Sequence, residues 1–332
     1  MRLLVKTHAF GDALLATPAV SALVSGGGGW TALAGPSTAE VWRRLPGMER
    51  VMLAPFPCPA ASLPRLAFWS LRNRIRDVEQ SVVLHSSRAV RLWVRFLTGA
   101  RMVSGGATPL GPWEEVRPLA RDGFVGDLYA GIAGVRVEDH RPVFPVTRGE
   151  EEAAARMLGR GDRVAFAPGG GSNPRDTVPW KRWNVAGYAE VARWCLGRGL
   201  GVCLLGDSRD MAASAEVARL CPGVLDLAGR TTLGEAAAVL GSCRAFLGAD
   251  SGLAHLARSA GTTAVVLFGP TDHSRLYPPG GVVPVVSGAP CSPCYSNEVF
   301  PGCRSGLDCM GRIDPGLVRD RLERALDARR DD

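Results

Sequence analysis

Asp250, Ser251, Gly252 and His255 fall in the stretch Ala245-Phe-Leu-Gly-Ala-Asp-Ser-Gly-Leu-Ala-His255. Ala245 to Leu247 reads as a short buried strand and the residues after Ser251 as a helix. The polar group therefore lies where a strand's carboxyl end meets a helix start, which is where open α/β sheets bind ligands. Free N–H groups of a first helical turn and the positive end of its dipole favour an anion there, and Gly252 lets the backbone approach closely. A sugar phosphate is the first ligand to expect. Ser251 and His255, four residues apart, share a helix face and can serve the same anion. The structural alternative makes Asp250-Ser251 a helix cap and His255 a core histidine.

Other residues repeat this placement. Asp12 follows the apolar strand Arg2-Leu-Leu-Val-Lys-Thr7 and the turn His8-Ala-Phe-Gly11, ahead of an Ala/Leu-rich helical stretch through Pro18. A carboxylate there can act as a base or cap the helix. The turn has one glycine and lacks the G-x-G-x-x-G spacing of dinucleotide sites, which argues against an NAD-dependent oxidoreductase. Arg163–Ala167 is a strand opening onto Pro168-Gly-Gly-Gly-Ser172-Asn173, whose amides can face an anion although the G-K-[ST] ending of a P-loop is absent. Trp180-Lys181-Arg-Trp183-Asn184 introduces the next helix, and Gly206-Asp-Ser-Arg-Asp210 follows another strand. Lys6 and Lys181 are the only lysines among 39 basic residues. A chain that writes surface charge as Arg and keeps Lys at two positions points to a compact point charge at each.

Strands alternate with helices along the whole chain, which implies parallel sheets covered on both faces. With 332 residues, 46% of them hydrophobic, two domains are expected, divided near residue 148 into 1–148 and 149–332. The net charge of +7 is uneven, residues 1–150 holding 18 Lys+Arg against 12 Asp+Glu. Arg65, Arg72, Arg74, Arg76, Arg88, Arg91, Arg95 and Arg101 are spaced to line a groove or a flat face, so an acidic partner is expected on the first half. No run approaches the roughly 18 apolar residues of a spanning helix, and Lys6 and Asp12 interrupt the N-terminal stretch, so a cytoplasmic protein is expected. Of nine cysteines, Cys291, Cys294, Cys303 and Cys309 form C-x₂-C-x₈-C-x₅-C. The longer gaps and the lack of a nearby histidine favour reduced packing thiols over structural zinc.

In this order and spacing the motifs resemble glycosyltransferase family 9, the ADP-heptose:lipopolysaccharide heptosyltransferases. Four blocks carry the resemblance: Val5 to Asp12 with Thr17-Pro18, Ala167-Pro-Gly169 with Lys181-Arg-Trp183, Gly248 to His255, and Leu267-Phe-Gly-Pro-Thr271. The Cys291 to Met310 block also looks like one found in many members. The resemblance implies a GT-B architecture, two Rossmann-like domains facing each other across a cleft, with the acceptor on the first and the nucleotide sugar on the second. It implies inverting transfer from ADP-heptose to an inner-core lipopolysaccharide hydroxyl. Asp12 matches the general base, Lys181 the lysine on the donor diphosphate, and Asp250 the carboxylate that orients the donor sugar. Ser251, Gly252, Leu253 and His255 match the phosphate-binding turn, and Asp210 falls near an acidic residue on donor hydroxyls. Ser172 and Asn173 are further donor candidates, and Arg72, Arg74 and Arg76 candidates for an anionic saccharide or glycolipid acceptor. No cofactor, metal or nucleic acid is required, and peripheral association with the inner membrane follows without a spanning segment. The chain departs from the family at Asn184, where Pro is usual, and in the longer Ser172–Pro179 segment. Alternatives are the same chemistry on another glycan or small natural product, and a nucleotide-sugar binding protein without turnover.

Overall fold

The structure, a computed structural model, describes residues 1–55, 63–73, 75–117, 123–170, 179–295, 303 and 308–328. The chain divides into two compact units, Met1–Pro145 and Val146–Asp332. The first runs β1 (Arg2–Val5), α1 (Phe10–Ser25), β2 (Trp30–Ala34), α2 (Ala39–Arg44), β3 (Met48–Leu53), α3 (Leu63–Arg72), β4 (Gln80–Val83), α4 (Arg88–Thr98), β5 (Arg101–Ser104), β6 (Glu114–Val116) and α5 (Val125–Ala133). The second begins with α6 (Arg148–Leu158) and β7 (Arg163–Ala167), followed by a 3₁₀ turn at Pro179–Lys181, α7 (Val185–Gly197), β8 (Gly201–Leu204), α8 (Met211–Leu220), β9 (Leu225–Asp226) and α9 (Leu233–Gly241). It closes with β10 (Ala245–Ala249), α10 (Gly252–Ser259), β11 (Ala264–Phe268), α11 (His273–Leu276), β12 (Val283–Val286), α12 (Asp308–Gly311) and α13 (Pro315–Ala328).

Each unit holds a six-stranded parallel sheet, ordered β3-β2-β1-β4-β5-β6 in the first and β12-β11-β10-β7-β8-β9 in the second. Renumbered within its own unit the second order is the same as the first, the doubly wound Rossmann order. The strand order reverses between β1 and β4 and again between β7 and β10. Just outside the carboxyl ends at such a reversal lies the crevice these sheets offer a ligand.

The central strands are buried on both faces, as parallel sheets require: every residue of β2, β10 and β11 is buried. Helix α1 continues seven residues past Pro18, where the sequence reading stops it. Proline removes the N–H that would bond the carbonyl of Leu14. Thr17 Oγ1 donates to that carbonyl at 2.6 Å and satisfies it, so the helix is not broken. Strands β6 and β12 are absent from the sequence reading. Both are sheet edges, β6 has three residues and β12 carries Pro284, so neither has the apolar run that marks a central strand. Among the described residues no helix is long and apolar enough to cross a membrane.

Candidate active site

In the second unit, the reversal between β7 and β10 gathers residues that are far apart in the sequence. Lys181, at the end of its 3₁₀ turn, donates to Asp250 Oδ2 at 2.7 Å. Asp250 is 5% exposed and lies between the end of β10 and the start of α10. Burial opposes its charge, but Lys181 and His255 nearby, with the Lys181 hydrogen bond, outweigh burial and hold the carboxyl below the usual aspartate range. Ser251 is the N-cap residue of α10, yet its side chain makes no capping bond. The cap alternative therefore fails for the hydroxyl, which stands half-buried beside the first-turn amides of Gly252 and Leu253.

His255 is turned inward and stacks on Tyr277 with ring centroids 4.6 Å apart. Tyr277 is buried, its hydroxyl is pushed well above its ordinary pKa by burial and by the Asp250 charge, and it donates to Asp250 Oδ1 at 3.4 Å. His255 thus packs behind the Asp250 carboxylate, close enough to favour its charge. Tyr295 covers the other partner, with the Lys181 ammonium 5.3 Å from its ring centroid. Neither tyrosine was legible in the sequence, because a single aromatic in a loop has no periodicity to announce it.

Asp210 braces the glycine loop. Its Oδ1 accepts from the Gly170 amide at 2.9 Å and its Oδ2 from the Asp207 amide at 3.1 Å, tying the loop after β7 to the loop after β8. A Cβ on Gly169 would overlap that carboxylate, so only glycine fits. Gly170 takes φ +91, a left-handed conformation that a side chain would strain. Arg182 Nε donates to the Gly170 carbonyl at 2.8 Å. Ser172 and Asn173 lie outside the described residues.

The Lys-Arg-Trp block is anchored on both sides. Trp183 is buried, donates to the Ile313 carbonyl at 3.0 Å and meets Tyr188 edge-on at 5.0 Å. Asn184, the departure from the family's proline, is the N-cap of α7, its Oδ1 accepting from the Gly187 amide at 2.6 Å. Asn184→Ala is expected to cost about 1 kcal/mol and Asn184→Asp much less, read as the shift in denaturant midpoint.

The cysteine motif is not a set of packing thiols. Cys309 is buried, but Cys291 and Cys303 are exposed. Burial and the neighbouring thiols push the Cys294 and Cys309 pKa values upward. The Cys294 and Tyr295 amides both donate to the Pro270 carbonyl, at 2.9 and 2.8 Å, so the segment is held at the carboxyl end of β11. Among the described residues, no group of three or more His, Cys, Asp or Glu side chains is arranged to hold a metal ion.

In the first unit the reversal lies between β1 and β4, and Asp12 is beside it. Its helix begins earlier than the sequence reading has it, with Ala9 as N-cap at φ 64 and no side-chain cap. Asp12 occupies the first turn, where the helix dipole favours a carboxylate, and its side chain is 30% exposed. Lys6 Nζ donates to Asp12 Oδ2 at 3.3 Å and to Tyr129 Oη at 3.1 Å, with the ammonium 5.2 Å from that ring's centroid. The two lysines of the chain therefore each meet an aspartate beyond a strand's carboxyl end. At the end of β4, His85 Nε2 accepts the Thr7 amide at 3.0 Å and its ring stacks on His8 at 4.4 Å.

The arginine run does not form one face. Arg91 is 3% exposed and paired with Glu114 at 2.9 Å. Arg95 donates to the Ala100 carbonyl at 3.0 Å beyond the end of α4. Arg76 immediately precedes Asp77, whose carbonyl accepts from the Met1 ammonium at 3.0 Å. That puts the Arg76 backbone at the amino ends of β1 and β4, the opposite end of the sheet from Asp12. Arg74 lies outside the described residues. Arg72 is exposed and, with Arg43, Leu53, Phe68 and Trp69, lines a cavity of about 530 Å³.

Two doubly wound units with polar residues at each strand-order reversal define a class, proteins that bind nucleotides or sugars on paired Rossmann-like domains. Residues 126–301 match the family model for glycosyltransferase family 9 (heptosyltransferase), just over half of the chain, and the chain belongs to that family. It is 32% identical over 126 residues to lipooligosaccharide heptosyltransferase 2 of Haemophilus influenzae, a stretch covering 36% of this chain and 35% of that protein. It is 29% identical over 139 residues to lipopolysaccharide heptosyltransferase 2 of Escherichia coli, covering 40% and 38%. The aligned stretch thus spans little more than a third of these relatives' length. Solved structures extend the likeness of fold to nearly all of the chain. A family 9 glycosyl transferase from Veillonella parvula matches with a TM-score of 0.79 at 16% identity, covering 98% of this chain and 96% of that one. The ADP-heptose heptosyltransferase II of E. coli matches at 0.72 and 19%, covering 99% of both. An E. coli heptosyltransferase solved with ADP matches at 0.68 and 16%, covering 98% of both. The fold is the GT-B architecture of those proteins.

Proposed function

We propose that the chain transfers a heptose from an ADP-linked donor to a hydroxyl of an anionic inner-core saccharide, inverting the anomeric carbon. The observation that carries this reading is the Lys181–Asp250 pair at 2.7 Å, placed at the start of α10 beside the β7–β10 reversal. The donor diphosphate occupies that helix start, taking hydrogen bonds from first-turn amides and the Ser251 hydroxyl and charge from Lys181. Asp250, held by Lys181 and Tyr277, orients the sugar hydroxyls, and Asp210 keeps the glycine loop in place. As the acceptor oxygen bonds to the anomeric carbon, the bond to the diphosphate oxygen breaks and its electron pair leaves with the nucleotide. Lys181 and the helix start neutralise the charge that develops on that leaving group. Asp12 takes the proton of the attacking hydroxyl. The lipopolysaccharide heptosyltransferases among the relatives and the neighbour solved with ADP support the donor and acceptor classes.

The donor half is tested by titrating ADP-, GDP-, UDP- and dTDP-sugars calorimetrically. ADP-linked heptose is expected to bind tightest, and a clear preference for another nucleotide would overturn the ADP assignment. The acceptor half is tested at Arg72 with a deacylated, water-soluble inner-core saccharide. Arg72→Gln is expected to raise the acceptor KM several-fold with donor KM unchanged, the difference shrinking in high salt as exposed charge is screened. Arg76→Gln, at the other end of the sheet, is expected to change neither. Equal effects of the two substitutions would remove Arg72 from the acceptor site.

A further inference from the structure

We infer that His85 is a positioning residue for the transfer: its imidazole, neutral and with the ring proton on Nδ1, fixes the turn after β1 that leads to Asp12. The inference rests on Asp12 being the base of the proposed transferase. It adds the group that keeps that carboxylate in place, and this group comes from the end of a different strand, β4.

At the β1–β4 reversal the two strands part, and the chain above them has to be fastened by side chains. Leu84 N donates to the Val5 carbonyl at 2.9 Å at the carboxyl end of the pair. Further along β1 the Thr7 amide donates to His85 Nε2 at 3.0 Å, so a side chain from the end of β4 continues the ladder beyond the strands. Thr7 is fully buried and His85 nearly so. On the β2 side, Thr38 Oγ1 and Trp42 Nε1 donate to the Lys6 carbonyl at 2.9 and 3.2 Å. The turn is therefore gripped from both sides just before it bends sharply. Ala9 takes φ 64, a left-handed conformation that is costly for a residue with a Cβ, and its carbonyl accepts the Ala13 amide at 3.0 Å as α1 opens. Asp12 lies in that first helical turn. Strain between the clamp and the carboxylate makes the position of the carboxylate depend on the clamp: releasing Thr7 lets the turn relax and moves Asp12 with it.

The amide also fixes the chemistry of the ring. A backbone N–H only donates, so His85 Nε2 has to present its lone pair and the ring proton sits on Nδ1. The Thr7 hydroxyl lies 3.4 Å from the same nitrogen and 3.1 Å from His8 Nδ1, and the His8 ring stacks on His85 at 4.4 Å with 19° between the planes. A proton on Nε2 would face the Thr7 N–H and break the bond. A glutamine carries its amide oxygen at the reach of Nε2 and can replace the ring as acceptor. An asparagine reaches only as far as Nδ1 and cannot.

The test compares His85→Gln and His85→Asn in the full chain, each alone and combined with Asp12→Asn, using ADP-heptose and a deacylated inner-core saccharide. Melting temperatures are measured alongside, and kcat is taken per folded protein. His85→Asn is expected to lower kcat at least about tenfold with donor KM within about twofold of the parent, because a reacting group misplaced by about 1 Å costs up to about 10²-fold. His85→Gln should stay within about threefold of the parent. Added to Asp12→Asn, His85→Asn should lower kcat by less than about twofold more, since a residue that acts through Asp12 then has nothing left to position. Without turnover, the nitrogen NMR spectrum of histidine-labelled protein should show a ring protonated at Nδ1 whose signals vanish in His85→Gln. A His85 protonated at Nε2, an unimpaired His85→Asn, a His85→Gln as slow as His85→Asn, or the full loss repeated in the Asp12→Asn background would overturn the inference and leave the transferase reading standing. An inactive parent, or an Asp12→Asn as fast as the parent, would overturn that reading of Asp12 and the inference with it.

Discussion

Asp12→Asn is expected to lower kcat by at least about 10²-fold while donor affinity stays within a few-fold of the parent. An acceptor hydroxyl is a poor nucleophile at neutral pH, and a carboxylate that takes its proton during attack contributes roughly 10²–10⁴ in rate. The amide keeps the size and accepts a hydrogen bond from Lys6, but it cannot take that proton. The helix-cap role is removed by the structure, since Ala9 is the N-cap of α1 and no side chain caps it. The remaining structural role is as counter-ion to Lys6, which is 3% exposed. Losing that role lowers the melting temperature and leaves kcat of the folded enzyme alone. Measuring kcat, donor Kd and melting temperature on the one variant separates the two, and a kcat within a few-fold of the parent would sink the assignment as base.

Lys181→Ala is expected to lower turnover by roughly 10²–10³-fold and to weaken donor binding, with Lys181→Arg recovering part of the loss. Here the substitution also strands a carboxylate, because Asp250 is buried and Lys181 is its ion-pair partner. Truncating one member of a buried pair is strongly destabilising, so stability has to be separated from catalysis. The double variant Lys181→Ala, Asp250→Asn removes both charges and should regain much of the melting temperature without regaining turnover. The pH dependence has a definite sign. Asp250 is held below its ordinary pKa in the folded protein, so its contribution to stability is present throughout the neutral range and is lost as the pH falls through that lowered value. Without Lys181 the loss should begin at higher pH. Full activity in Lys181→Ala would take the lysine out of the site.

The central strands, most helices and the polar clusters beyond strand ends were legible in the sequence, because apolar runs bounded by glycine and Asx residues mark buried parallel strands and their turns. The shared strand order explains why the chosen residues congregate: a reversal at β1/β4 and at β7/β10 leaves room only there. What was not legible is tertiary. Lys181 and Asp250 are separated by 69 positions, and nothing in either stretch announces their contact. The inward turn of His255 depends on Tyr277, a loop residue. Proximity in sequence misled at the arginines: Arg91 is neutralised by Glu114 on an edge strand that the sequence hides, and the Arg76 backbone has already crossed to the far end of the sheet. The exposed residues of the cysteine motif show the same limit, since spacing says nothing of burial.

The most direct test of the transferase reading is to incubate the protein with ADP-heptose and a heptose-free inner-core saccharide and follow both products by mass spectrometry. The account predicts one heptose added per acceptor, with an equal amount of ADP released and the new anomeric bond inverted relative to the donor. Donor that binds and stays intact with every acceptor offered, or is hydrolysed to free heptose with none transferred, would contradict it.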